Sequence, residues 1–140
     1  MTGNAVGQPD ENLLDRSFDA KSLRTLRQAV ADSCAGLGDL SQAEFVLAVH
    51  EIATNAVRHG GGAGQLRLWR QDGQLCCEIR DQGKGIPKGR LDSRRPRPGH
   101  IGGWGIWLAR QICATVDIET GRAGTRVRLA YALPPGARPD

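Results

Sequence analysis

Glu51 and Asn55 stand four residues apart in a segment whose other residues are largely apolar. On a helix, this spacing projects both side chains from the same side. An amide oxygen can ligate Mg²⁺, and a carboxylate can accept a proton from an attacking hydroxyl group. The pair could therefore act on a metal-bound polyphosphate, although the same residue types are also typical of a helix face that meets water.

A second candidate lies in the run Asp81-Gln82-Gly83-Lys84-Gly85, which directly follows a predicted strand. An aspartate at the end of a strand can accept a hydrogen bond from an exocyclic amine such as that of adenine. Gly83 and Gly85 would let the backbone approach a flat ring closely, because glycine has no Cβ. The same residues are also expected in an ordinary β-turn.

A third candidate is Gly103-Trp104-Gly105, which opens a predicted helix. Free N–H groups and the helix dipole make a glycine-rich helix entry a suitable site for an anion. By itself this pattern is equally typical of a plain glycine-rich entry. Near the C-terminus, Thr125 follows a glycine at the start of the last predicted strand.

The elements that must position these residues follow from the periodicity of the apolar side chains. Helical spacing predicts helices over 19–34, 41–58 and 104–116, and alternation predicts strands over 65–70, 75–79, 117–120 and 125–132. Asp72-Gly73 is typical of a two-residue hairpin turn, whereas the long segment 82–103 has no periodicity. This order predicts an α+β, two-layer sandwich in which helices cover one face of a mixed, mainly antiparallel sheet.

Composition limits the classes of protein to which the chain can belong. With 140 residues and a mass of 15.0 kDa, it has room for one domain. No apolar run is long enough to span a membrane, and the polar start lacks the features of a signal peptide, so we expect a cytoplasmic protein. The four cysteines lack metal-ligand spacing and are interpreted as small hydrophobic residues. The net charge of +4 does not by itself indicate nucleic-acid binding.

Taken together, the order and spacing of the three candidates resemble the GHKL ATP-binding fold over residues 18–133. That family includes the catalytic domains of histidine kinases and gyrase-type ATPases. The resemblance implies that ATP and Mg²⁺ bind, with Glu51 as general base, Asn55 as the Mg²⁺ ligand and Asp81 as the acceptor for adenine. It further implies nucleotide-binding roles for Gly83, Gly85, Gly103, Gly105 and Thr125.

Within that family, a chain that consists of the ATP-binding domain alone is similar to the RsbW/SpoIIAB-type anti-sigma factors, which are protein-serine kinases. This resemblance implies phosphorylation of a serine or threonine on an antagonist protein, with a sigma factor as the other partner. Such relatives commonly form homodimers, and we expect neither direct DNA binding nor membrane binding.

The expected organisation has a flexible segment (1–17), an ATP-binding kinase domain (18–133) and a C-terminal tail (134–140). The alternative is an ATP-binding regulatory module without significant phosphotransfer, in which Glu51 has no chemical role.

Overall fold

The structure is a computed structural model that describes residues 11–35, 40–85 and 104–133. These residues form five strands and three helices. In chain order the elements are β1 (Glu11–Asp19), α1 (Leu23–Ser33), α2 (Leu40–His59), β2 (Ala63–Gln71), β3 (Gln74–Asp81), α3 (Trp104–Ile112), β4 (Thr115–Gly121) and β5 (Gly124–Ala132).

The strands form one open sheet in the order β1-β2-β3-β5-β4. This sheet with its three helices confirms the predicted α+β fold class. The prediction of a mixed sheet is not met in the described residues, because all four pairings are antiparallel. Helix α2 packs against β2 and β3, α1 against β1 and α2, and α3 against α2 and β4.

One face of the sheet joins the helices in the main hydrophobic core. Alternation along β2, β3 and β5 directs every second side chain to this face. Aliphatic residues dominate it, because aromatic residues make up only 4% of the chain. The largest fully buried side chains include Phe45, Leu66, Leu68, Leu75 and Leu129.

The opposite face of the sheet buries a separate small cluster of Trp69, Cys76 and Ala130. Beside it Glu78 is only 2% exposed, and its carboxylate pairs with Arg80 and Arg128 at 2.6 Å each. These two arginines hold the pKa of Glu78 below its ordinary value, although burial opposes them. Arginine side chains thus cover part of the face that no described helix covers.

The cysteines behave as small hydrophobic residues, as expected. All four are free thiols, and the neighbours Cys76 and Cys77 lie on opposite faces of β3. Burial raises the pKa of both Cys34 and Cys113 to about 12, so both thiols stay protonated at neutral pH.

Several boundaries differ from the sequence predictions. The expectation of a flexible segment over 1–17 is wrong for residues 11–17, because they belong to β1 and pair with β2. Charged side chains on this edge strand hide its period, as is common for edge strands. The predicted helix over 19–34 begins only at Leu23, after a turn in which Asp19 accepts hydrogen bonds from the backbone of Lys21 and Ser22.

The predicted helix over 104–116 is also too long. Helix α3 ends at Ile112, and β4 begins at Thr115, where the chain pairs with β5. Val116 therefore packs on the core from a strand. The hairpin at Asp72-Gly73 is confirmed, since both residues have the positive φ that this turn requires.

The tail 134–140 and most of the predicted irregular segment, residues 86–103, lie outside the described residues. No helix in the described ranges combines the length and the apolar character needed to cross a membrane.

Candidate functional site

Asp81 is the last residue of β3 and lies half-buried where the strand leaves the sheet. Its carboxylate oxygen Oδ1 accepts a hydrogen bond of 2.9 Å from the backbone N–H of Gly83, and the backbone of Thr125 also hydrogen-bonds to the carboxylate. Burial nevertheless raises the pKa of Asp81 above its ordinary value, because desolvation outweighs the two hydrogen bonds. This end of the sheet therefore holds an oriented, partly desolvated acceptor.

Glycines form the walls around this carboxylate. A Cβ at Gly60, the residue after α2, would collide with the Asp81 carboxyl group, and one at Gly83 would collide with the backbone of Gly60. Gly124 is pressed equally closely against the carbonyl oxygen of Asp81. The end of α2, the loop after β3 and the start of β5 therefore meet backbone to backbone around Asp81.

Thr125 and Gly85 complete this end of the site. Thr125 is 7% exposed and stands opposite Asp81 in the β3–β5 pairing. Gly85 has a φ of +92°, which a residue with a side chain rarely adopts, and its backbone packs on the β4–β5 hairpin. A cavity of about 920 Å³ opens over this region and is lined by Asp81, Thr125 and the backbone of Gly60, among others. We call this region the base end of the site, after the adenine base that the resemblance predicts it to bind.

Glu51 and Asn55 lie on α2, one helical turn apart, and both side chains are half-buried. Gly105, in the first turn of α3, packs directly on Glu51, because a Cβ at Gly105 would lie 2.8 Å from the Glu51 Cβ. We call this region the phosphate end of the site, after the ATP phosphates that the resemblance predicts it to bind. Its third predicted element, Gly103, lies outside the described residues.

A separate apolar cavity of about 360 Å³ adjoins Glu51 between α2 and α3. It is lined by Leu47, Glu51, Leu108 and the pair Trp104 and Trp107, whose rings meet edge to face at 5.9 Å. The two tryptophan rings therefore pack against each other.

Helix α2 connects the two ends. Gly60 follows Glu51 by nine residues, which corresponds to roughly 13 Å along a helix axis. The structure thus brings Asp81, Gly83, Gly85 and Thr125 together, and separately places Gly105 against Glu51.

Comparison with known proteins agrees with this arrangement. A family model described as a histidine kinase-like ATPase domain matches residues 17–131. The chain belongs to this family. It is therefore a GHKL-type ATP-binding domain, as the spacing of its motifs predicts.

Among solved structures, the histidine kinase domain of the blue-light activated histidine kinase EL346 from Erythrobacter litoralis is 28% identical to this chain, with a TM-score of 0.53. The match covers 66% of this chain and 47% of that domain, and for the longer structure of the same kinase it covers 66% and 30%. The chain thus spans about half, or less, of these relatives.

The histidine kinase AdeS from Acinetobacter baumannii is 14% identical, with a TM-score of 0.55, and covers 86% of this chain and 68% of its own. At that identity the likeness concerns the fold alone. The comparison with curated proteins finds no match.

The residues present fit the nucleotide that this ATPase family binds. The cavity of about 920 Å³ beside Asp81 offers space for a ligand, and the Asp81 carboxylate is oriented by backbone N–H groups. Within 11–35, 40–85 and 104–133, no group of three or more His, Cys, Asp and Glu side chains could hold a metal.

Sequence reasoning missed two residues of the base end, Gly60 and Thr120. Gly60 belongs to none of the three candidate motifs, although its place just after the predicted helix over 41–58 was a usable signal. Thr120 pairs with Thr125 across the β4–β5 hairpin, and the two hydroxyl oxygens are 2.9 Å apart. The pairing register of this hairpin could have revealed Thr120.

Proposed function

We propose that this chain is a protein kinase that uses ATP and Mg²⁺ to phosphorylate a serine or threonine of a protein partner. The observation that carries the proposal is the position of Glu51, half-buried one turn before Asn55 and packed against Gly105. A base must lie within hydrogen-bond reach of the proton that it removes. Glu51 lies near the middle of α2, about two turns before the end of the helix that meets Asp81, where the distal phosphate of a bound nucleotide would lie.

The base end would hold the adenine ring. Asp81 accepts a hydrogen bond from the exocyclic amine, and the backbone of Gly83 and Gly85 lies along the ring. The ionised carboxylate is the stronger acceptor for this role, and the N–H of Gly83 keeps it oriented. The distance along α2 from Gly60 to Glu51 is comparable with the extended length of a nucleoside triphosphate.

At the phosphate end, Asn55 would ligate Mg²⁺, which supplies charge neutralisation for the phosphate oxygens. Glu51 accepts the proton of the substrate hydroxyl while the hydroxyl oxygen forms its bond to the γ-phosphorus. The bond from that phosphorus to the bridging oxygen of ADP breaks in the same step. Gly105 leaves space for Glu51 because it has no side chain.

The biological role that fits best is that of an anti-sigma factor of the RsbW/SpoIIAB type. In this role the chain would bind a sigma factor and phosphorylate an antagonist protein, as its resemblance in sequence to these anti-sigma factors implies. A phosphoryl group adds roughly −1.5 to −2 charges and would change which partner is held. Homodimer formation, a cytoplasmic location and the absence of DNA and membrane binding belong to the same proposal.

A second candidate acceptor is a histidine, because the similar Erythrobacter litoralis protein is a histidine kinase. The acceptors differ in a measurable way, since a phosphate ester of serine survives acid, whereas the phosphorus–nitrogen bond of phosphohistidine does not. The acid stability of the labelled product therefore separates the two candidates.

The experiment incubates the purified chain with radiolabelled ATP, Mg²⁺ and antagonist-type proteins encoded near its gene. An acid-stable label on one of these proteins, absent without Mg²⁺, supports the proposal. An acid-labile label would favour the histidine acceptor. Retained ATP binding without any transfer would leave only the ATP-binding regulatory module.

A further inference from the structure

Thr120 contacts both Thr125 and Gly85 at the base end, although no motif in the sequence includes it. Its hydroxyl oxygen is 2.9 Å from that of Thr125, and either group could donate. The backbone of Gly85 packs on the same side chain, because a Cβ at Gly85 would lie 2.9 Å from the Thr120 Oγ1 and 2.7 Å from the carbonyl oxygen of Gly121. Thr120 thus contacts two of the residues expected to bind the base.

The Thr125 hydroxyl has one hydrogen and can donate or accept, according to its neighbour. Thr125 is 7% exposed, so few other partners can reach it, and its backbone is fixed by the pairing with Asp81. If the Thr120 hydroxyl donates to Thr125, the hydrogen of Thr125 is left to point away from Thr120 and into the cavity. Thr120 lies on the edge strand β4, directly opposite Thr125.

Adenine presents an amine donor beside a ring-nitrogen acceptor, whereas guanine presents a carbonyl acceptor beside a ring N–H donor. The carboxylate of Asp81 matches the amine, and a donating hydroxyl nearby matches the ring nitrogen, directly or through a water molecule. With guanine, the Asp81 carboxylate would face a second acceptor, the carbonyl, and the donating hydroxyl would face a second donor, the ring N–H. Such mismatched buried polar groups are costly. The direction of the Thr125 hydroxyl therefore matters for base selection.

We propose that Thr120 is a positioning residue that orients the Thr125 hydroxyl as a donor and thereby increases the preference of the site for ATP over GTP. The proposal rests on the role of Asp81 in the proposed function. It does not depend on phosphotransfer.

The test compares the dissociation constants of ATP and GTP for the whole chain and its variants by calorimetry. Thr120→Val keeps the shape of the side chain and removes the hydroxyl, and Thr120→Ser restores the hydroxyl. Thr115→Val is the matched control, because Thr115 is an exposed residue at the other end of β4. We expect Thr120→Val to weaken ATP binding about 2- to 10-fold and to lower the ATP-to-GTP preference by the same factor, because one hydrogen bond is lost.

We further expect Thr120→Ser to recover the preference, and Thr115→Val to leave it unchanged. In a Thr125→Val background, Thr120→Val should have little further effect on the preference, because the hydroxyl that it orients is absent. An unchanged ratio of the ATP and GTP dissociation constants in Thr120→Val would overturn the inference. This holds even if both nucleotides bind more weakly, because an equal loss indicates a structural role alone. If the wild-type chain itself does not prefer ATP, the role of Asp81 also fails.

Discussion

The two ends of the candidate site are built in different ways. At the base end, Asp81, Gly60 and Thr125 come from three elements and meet through backbone contacts and hydrogen bonds. At the phosphate end, Glu51 and Asn55 lie on one helix and owe their mutual position to a single helical turn. The comparison teaches that recognition of the adenine base, in the proposed site, would depend on tertiary packing, whereas the phosphate end would depend mainly on local helix geometry.

The largest effect is expected from Glu51→Gln at the phosphate end. A general base contributes roughly 10² to 10⁴-fold to a rate, so phosphotransfer should fall by that factor while the dissociation constant of ATP changes little. Glutamine keeps the shape of the side chain and removes its basicity. The measurement is the single-turnover rate of transfer, together with calorimetry of ATP binding.

Glu44→Gln is the control for this substitution, because Glu44 is an exposed acid two turns earlier on the same helix. Its transfer rate should equal that of the wild type. Equal transfer rates in Glu51→Gln and the wild type would contradict the role of Glu51 as general base, and with it the difference in chemical role between the two ends.

At the base end, Asp81→Asn should weaken ATP binding by roughly 1.5–3 kcal/mol, or about 10- to 150-fold, through the loss of a charge-assisted hydrogen bond. Asp72→Asn is the matched control, since Asp72 is exposed in the β2–β3 turn, where asparagine tolerates its φ of 52°. ATP affinity measured by calorimetry should change only in the first variant. The same affinity in both would take Asp81 out of the site.

Gly60→Ala should damage the base end through packing rather than chemistry. The new Cβ would collide with the Asp81 carboxyl group, and overpacking of this kind costs about 1–3 kcal/mol. We expect a lower free energy of unfolding in urea and weaker ATP binding. The transfer rate at saturating ATP should change less than in Glu51→Gln. A variant as stable as the wild type, with unchanged ATP affinity, would contradict the tight packing of this end.

The smallest effect is a pH dependence of ATP affinity. Burial raises the pKa of Asp81 in the folded chain above its ordinary value of 3.8, and the ionised carboxylate accepts the amine hydrogen more strongly than the neutral acid does. ATP affinity should therefore fall as the pH decreases toward and through the raised pKa, by at most about tenfold per pH unit. Calorimetry of ATP binding across this range measures the effect.

The contribution of Asp81 to stability should change with the opposite sign. Because its folded pKa is raised, protonation favours the folded chain, and this contribution is lost as the pH rises through that pKa. In Asp81→Asn both dependences should become flatter. An identical pH profile of ATP affinity in that variant would assign the titration to another group.

Much of the fold could be predicted from the sequence, but not its edges. The apolar stripe of α2 and the Asp72-Gly73 turn are local signals, and both are confirmed. Strand β1 could not be predicted in the same way, because its charged residues mask the alternation and its pairing with β2 contains a register shift near Asn12. The end of α3 at Ile112 was also missed, since pairing with β5 overrides the helical period there.

The site was predicted as residues but not as a geometry. The sequence identified Glu51, Asn55 and Asp81 from their spacing and order, and their catalytic and binding roles stay predictions. It could not reveal that the buried carboxylate of Glu78 pairs with Arg128 on the far face of the sheet. These two residues meet only through the register of β3 and β5, whereas Arg80 stands two residues after Glu78 on the same strand.

The sequence by itself determined the relations that one helix or one turn fixes. Glu51 and Asn55 share a helix side because 3.6 residues make a turn, and Gly73 follows Asp72 in a hairpin that few other residue pairs form. Only the tertiary structure decided that Gly60, Asp81, Thr125 and Thr120 meet at one end of the sheet. Their contacts join residues as many as 44 positions apart, from Asp81 to Thr125. Such contacts depend on strand register and helix packing, which no local period in the chain specifies.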